Sequence, residues 1–243
     1  MNDHARPHLP NLSANWRNYV GDFWRGDLGL TLLTLSLVVE IFVISPMREI
    51  GVEGRIFFNL IVGVLMISGA VAGSRSRIWQ ALLSAAVAIC GLVLWAGRLH
   101  PTRQLHLWGS AFVTITLLLF VHVVIVVMFR GGPITFSRIQ GGVCAYLLVG
   151  MAFASAYQFL EQLIPGSLLF VEAPRDLDQL TAKTTYYSFS ILTTVGSEIS
   201  AHGPYVRSLT TMEAIVGQLF PTILIGALVA MAIQARPKSP DGR

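Results

Sequence analysis

Charge is what this sequence has least of: Asp, Glu, Lys and Arg make up 12% of its 243 residues, about half of what a globular chain carries. That scarcity, with 53% hydrophobic residues and a mean hydropathy of +0.63, argues against a soluble domain and for a membrane protein. Cysteine is almost as scarce. Cys90 and Cys144 both fall inside apolar runs, where they read as small buried hydrophobes and exclude a disulfide framework or a metal cluster. Also lacking are HExxH, CxxC, a Gly-rich phosphate loop and a nucleophile elbow, so an enzyme is not expected. The formal charge is +4, but its basic residues are spread between apolar runs instead of gathered on one tract, which speaks against nucleic acid as a partner. The polar residues 1–26 lack a short apolar core with a cleavage site. The expectation is that the first helix itself targets the chain to the membrane.

What is there is a succession of long apolar runs. Six reach the roughly 20 residues that a helix needs to cross about 30 Å of hydrocarbon: residues 28–44, 56–73, 78–96, 105–129, 139–164 and 208–234. The breaks carry turn chemistry or charge, at Pro46 to Gly54, Ser74 to Arg77, Gly97 to Arg103, and Gly131 to Pro133. The fifth connection, residues 165–207, differs. It is mixed in polarity and holds a short apolar stretch at 184–192, too short to span, whose natural reading is a re-entrant segment buried in protein. The expected fold is therefore an all-α membrane protein of six transmembrane helices, with a re-entrant pore helix and loop between the fifth and sixth.

With the N-terminus inside, one side of the membrane holds ten of the 17 Lys and Arg residues. The other side's seven are balanced by acids including Glu172, Asp176, Asp178 and Glu198. The expected topology is multi-pass with both termini cytoplasmic, in a bacterial inner or plasma membrane. The chain divides accordingly into a cytoplasmic segment 1–27, a four-helix peripheral part 28–130, a part 139–234 that holds the re-entrant segment, and a short cytoplasmic tail 235–243. The fourth run lacks Arg and Lys, so a voltage sensor is not expected.

Residues 186–234 begin YYSFSILTTVGSEIS and continue into the last apolar run. Over these fifty or so residues the chain resembles the tetrameric P-loop potassium channel superfamily, in particular its bacterial ion-channel pore module. The resemblance rests on Thr193, Thr194, Val195 and Gly196 after a short helix. It extends to the aromatic pair Tyr186 and Tyr187, the acid Glu198, Arg207 nine residues on, and Gly217 nineteen residues after that acid. It implies that backbone carbonyls of Thr194, Val195 and Gly196 from four subunits replace the hydration shell of a monovalent cation. Gly196 would adopt a conformation closed to residues with a Cβ, Thr194 would add a hydroxyl ring, and the short helix would aim its partially negative end at the axis. The family continues with Tyr-Gly-Asp where this chain has Ser197, Glu198 and Ile199, which withdraws strict potassium selectivity.

The function that follows is a passive monovalent cation channel. It is a homotetramer in lipid, without cofactor, with K+ or Na+ as permeant ion. The rivals are an ion transporter subunit with a filter-like loop and a non-conducting scaffold derived from a channel. Tyr186, Tyr187, Arg207 and Glu213 are expected to support the filter, Glu213 by bracing the pore helix. Gly217, Pro221 and Gly226 read either as a gating hinge or as ordinary packing residues of a membrane helix. Glu40 is expected to reach the external interface. His122 reads as a packed histidine or a proton sensor, and His202 as a loop residue or an external pH sensor. Glu172, Asp176 and Asp178 either concentrate cations at the mouth or form a solvated loop.

Overall fold

The structure is a computed structural model that describes residues 28–49, 77–99, 102–128 and 136–234. The expected second span, 56–73, and the segments 1–27 and 235–243 lie outside the described residues. The chain is mostly helical. Helix α1 (Leu28–Val39) continues through a π-helical turn (Glu40–Ile44) into α2 (Ser45–Glu49). Then come α3 (Arg77–Leu99), α4 (Arg103–Met128), α5 (Phe136–Leu163), β1 (Leu168–Leu169), α6 (Leu177–Leu192), β2 (Ser200–Ala201) and α7 (Pro204–Gln234).

Among the described residues, four stretches are long and apolar enough to cross a membrane: Thr31–Arg48, Arg103–Val126, Ile139–Leu163 and Pro204–Ala230. The six-span expectation is met to that extent. Its third run does form a helix, α3, but the apolar part is the shorter Ala85–Gly97.

Two expectations are corrected here. Pro46 does not end the first helix. In the preceding turn the Ser45 N–H bonds to the Glu40 carbonyl, one residue further back than in an α-helix, so Pro46, which has no N–H to donate, follows a widened turn of a continuous helix. Glu40 does not reach the interface either. It is buried and ion-paired with Arg48, which folds back along the same helix, because two carboxylate and guanidinium groups taken out of solvent are retained only as a pair.

Helix directions can be read from the bonds at their ends. Gln140, at the start of α5, exchanges hydrogen bonds with Thr31, at the start of α1, so these two helices run parallel. Arg103 at the start of α4 donates to the Gln162 carbonyl at the end of α5, and Thr114 and Ser155 share a hydrogen bond of 2.8 Å between them. Those two helices are therefore antiparallel. Leu33, Leu37, Leu83, Phe120, Cys144 and Leu148 fill the space between α1, α3, α4 and α5. In lipid such packing is held by close contact and scattered hydroxyl bonds, since the tails outside are as apolar as the core.

The connection from α5 to α7 is more ordered than a mixed-polarity loop suggests. Glu161, in the last turn of α5, accepts from the Gly166 and Leu168 amides at 2.9 and 2.8 Å and from the Ser167 hydroxyl at 3.0 Å. Gly166 turns with a φ of +84°, which its lack of a Cβ permits. The all-α expectation meets an exception here: β1 and β2 pair antiparallel, Leu168 opposite Ala201, and the His202 amide extends the pairing to the Ser167 carbonyl at 2.7 Å. Two loop segments with free amides and carbonyls satisfy each other this way. Asp176 then caps α6 by accepting from the Asp178 and Gln179 amides, both at 2.9 Å. The cap starts the helix a full two turns before the apolar stretch that the sequence shows.

Candidate functional site

At its C-terminal end α6 folds tightly back on itself. The Thr193 amide and hydroxyl both donate to the Phe189 carbonyl, at 3.0 and 2.6 Å, and the Thr194 amide donates to the Ile191 carbonyl at 2.9 Å. Thr194 has a φ of +59°, Gly196 a φ of +89°, and Val195 between them is not in that region. The Gly196 amide returns to the Ser190 carbonyl at 3.2 Å. A Cβ on Gly196 would meet nothing within 4 Å, so its glycine is demanded by the backbone angle and not by space. Thr193 to Gly196 are all exposed, Val195 to 83%. Ser197 Oγ accepts from the Ile199 amide at 3.1 Å, Glu198 is exposed, and Ile199 turns inward against Leu168, Tyr157, Tyr187 and Val206.

Behind this loop stands a polar network. Glu213 on α7 is fully buried (0% exposed) and accepts from Ser188 on α6 at 2.5 Å and from Tyr157 on α5 at 2.6 Å. Ser188 is also 2.7 Å from the Gly150 carbonyl, so its single proton has two acceptors to choose from. Tyr187 shares a bond of 2.9 Å with Thr210, and the Tyr157 and Tyr187 rings meet edge to face at 4.8 Å. Three helices are thus tied through one carboxylate. A buried acceptor of this kind must be satisfied or it is costly.

The loop is held from two further directions. Tyr146 on α5 donates to the Leu192 carbonyl at 3.1 Å. A Cβ built on Gly217 would lie 2.1 Å from that same carbonyl oxygen, so only glycine lets α7 approach the end of α6 so closely. Gln218 then donates to the Thr194 hydroxyl at 3.2 Å. Pro221, inside α7, has no N–H for the Gly217 carbonyl four residues back. Gly150 has a similar task, since a Cβ there would be 2.5 Å from the Phe189 ring.

The structure separates residues that the sequence groups together. Tyr187 joins the network, whereas Tyr186 is 53% exposed on another face of α6, since neighbours on a helix point about 100° apart. Arg207 is exposed and its Nε lies 3.4 Å from the Ala201 carbonyl; it holds β2 and not the loop. Gly217 has a packing reason to be glycine, while Gly226 faces open space. His122 and His202 are both exposed. Asp176 serves as a helix cap, and the Glu172 carbonyl accepts from Lys183 at 2.7 Å. Sequence reasoning missed Tyr146, Gly150, Tyr157, Ser188, Thr210 and Gln218. Their one signal was being polar or small within apolar helices, which says nothing about which neighbour each would face. Among the described residues, no three His, Cys, Asp or Glu side chains are placed to hold a metal ion. No family model, curated protein or solved structure matches the chain.

Proposed function

We propose that this chain is one subunit of a homotetrameric, passive monovalent cation channel, related to the potassium channel superfamily through residues 186–234. In this reading α6 is a re-entrant pore helix, α5 and α7 are the outer and inner helices, and both termini are cytoplasmic. The observation that carries it is the loop at the C-terminal end of α6. Its residues Thr194, Val195 and Gly196 alternate in the sign of φ, are exposed, and lie at the partially negative end of a 16-residue helix. In an extended strand successive carbonyls alternate sides. Alternation in the sign of φ is the departure needed to turn them toward one side, where an ion can be coordinated by carbonyls.

The exposure of α7 supports the multimer. Only 11% of the 18-residue apolar window within Pro204–Ala230 is buried within the chain, against 56% of that within Ile139–Leu163. Along α7, Met212, Ile215, Leu219 and Ile223 form one exposed apolar stripe, and Gln218, Thr222, Ile225 and Val229 a second, exposed and partly polar, that begins beneath the loop. In a four-fold assembly the first faces other copies or lipid and the second lines the path of the ion. Ser197 and Glu198, where Tyr-Gly-Asp would continue a potassium filter, reduce the queue of carbonyl sites. The pore accordingly passes both K+ and Na+.

The test is the purified chain reconstituted into liposomes. A tetramer in mild detergent and cation currents faster than transporter turnover are expected, with a reversal potential that shifts toward potassium when Ser197 and Glu198 are replaced by Tyr-Gly-Asp. Protein that passes no potassium, sodium or caesium at any voltage or pH would instead identify a scaffold, and a monomer would argue against the four-fold pore.

A further inference from the structure

Gln218 donates from Nε2 to the Thr194 hydroxyl at 3.2 Å, and both side chains are exposed. Water would satisfy either group, so burial does not explain the contact. The backbone does. Gly217 brings α7 against the Leu192 carbonyl, and the residue that follows is thereby delivered to the end of α6. Thr194, for its part, is the only described residue other than glycine with a positive φ. A β-branched residue in that region is held there only when its surroundings over-determine it. Its amide is fixed to the Ile191 carbonyl at 2.9 Å, and its hydroxyl is fixed by Gln218.

A threonine hydroxyl offers two lone pairs and one proton. With one lone pair engaged by the Gln218 amide, the other lone pair and the proton are confined to the two remaining positions around the oxygen. Thr222, next along the same stripe, cannot substitute, because its hydroxyl bonds to the Gln218 carbonyl at 2.9 Å within the helix. We infer that Gln218 is a positioning residue for the Thr194 hydroxyl and so a determinant of how the inner end of the loop ranks monovalent cations. This rests on the channel reading above.

The test is the full chain in liposomes, with reversal potentials in potassium and sodium gradients for the wild type, Gln218→Leu, Gln218→Met, Thr194→Val and the Gln218→Leu, Thr194→Val pair. Each single variant is expected to change the potassium-to-sodium permeability ratio in the same direction by about three- to tenfold, the factor that corresponds to one hydrogen bond's ordinary net worth. The pair should move it no further than the larger single change, and Thr194→Ser, which keeps the hydroxyl, should stay near the wild-type ratio. Gln218→Met retains the length of the side chain without its amide and covers the case in which Gln218→Leu fails to assemble. Conducting Gln218 variants with a wild-type ratio overturn the inference, as do independent, additive shifts, which would mean that Gln218 acts without Thr194. A wild type that passes no cation removes the channel reading and this inference together, an outcome distinct from currents that ignore Gln218.

Discussion

The two sides of α7 are built on opposite rules. The side against α5 and α6 carries Val206, Thr210, Glu213 and Gly217, where polar groups are bonded across helices and a glycine admits a neighbour's backbone. The other side carries Met212, Ile215, Leu219 and Ile223, all large and apolar and all exposed. The inward side therefore specifies one geometry and tolerates little. The outward side specifies only that something apolar cover it.

The severest break of this contrast is Gly217→Ala. The added methyl would meet the Leu192 backbone oxygen, which no rotamer change can move aside, so a loss of about 3 kcal/mol or more is expected from overpacking. It should register as a large fall in the unfolding midpoint of the detergent-solubilised protein and, on the proposed channel function, as loss of cation flux. Glu213→Leu comes next. It leaves the Tyr157 and Ser188 hydroxyls without their acceptor, at a cost of about 2 kcal/mol, softened because Ser188 still has the Gly150 carbonyl. Glu213→Gln, which can accept from one hydroxyl, should cost less than half of that in the same unfolding measurement. Equal losses for Leu and Gln would mean that the carboxylate is not the knot that ties the three helices.

How much of this was legible in the sequence follows from the same contrast. The apolar runs at 105–129, 139–164 and 208–234 correspond to α4, α5 and α7 because a run of twenty apolar residues has few alternatives to a helix. Less local facts were not legible. Pro46 reads as a stop, and only the π-helical turn before it shows why the helix continues. Asp176 reads as part of an acidic cluster, and only its position before α6 makes it a cap. Ser188, Thr210 and Tyr157 lie 25, 3 and 56 residues from Glu213, and a hydroxyl in a helix can as easily bond its own turn, as Thr184 does with the Leu180 carbonyl. Gly217 reads from sequence as a hinge or as a packing residue, since the atom it must avoid belongs to another helix.

On the outward side effects should shift from folding to assembly. Met212→Ser and Ile215→Ser remove apolar surface that the chain itself does not cover. The unfolding midpoint of each subunit should move by about 0.5 kcal/mol or less, as for exposed positions generally. Subunit association in the proposed tetramer should weaken by about tenfold for each, a change of roughly 1.4 kcal/mol, seen as dissociation at a lower detergent-to-protein ratio and at a higher protein concentration than the wild type shows. A drop in subunit stability without a change in assembly would place that face against an undescribed part of the same chain.

The smallest effect is expected at Gly226. A Cβ there has open space, so packing gives no reason for a glycine, in contrast to Gly217. Helix propensity alone then favours Gly226→Ala by about 0.5 to 1 kcal/mol, and the unfolding midpoint should rise. What a glycine retains at such a place is freedom of the backbone, five residues after Pro221 has already removed a helical hydrogen bond. If α7 bends there during gating, the same substitution should lower cation flux by about twofold, because the stiffening amounts to less than 1 kcal/mol. Higher stability with lower flux makes Gly226 a hinge; higher stability with unchanged flux assigns the bend to Pro221 alone.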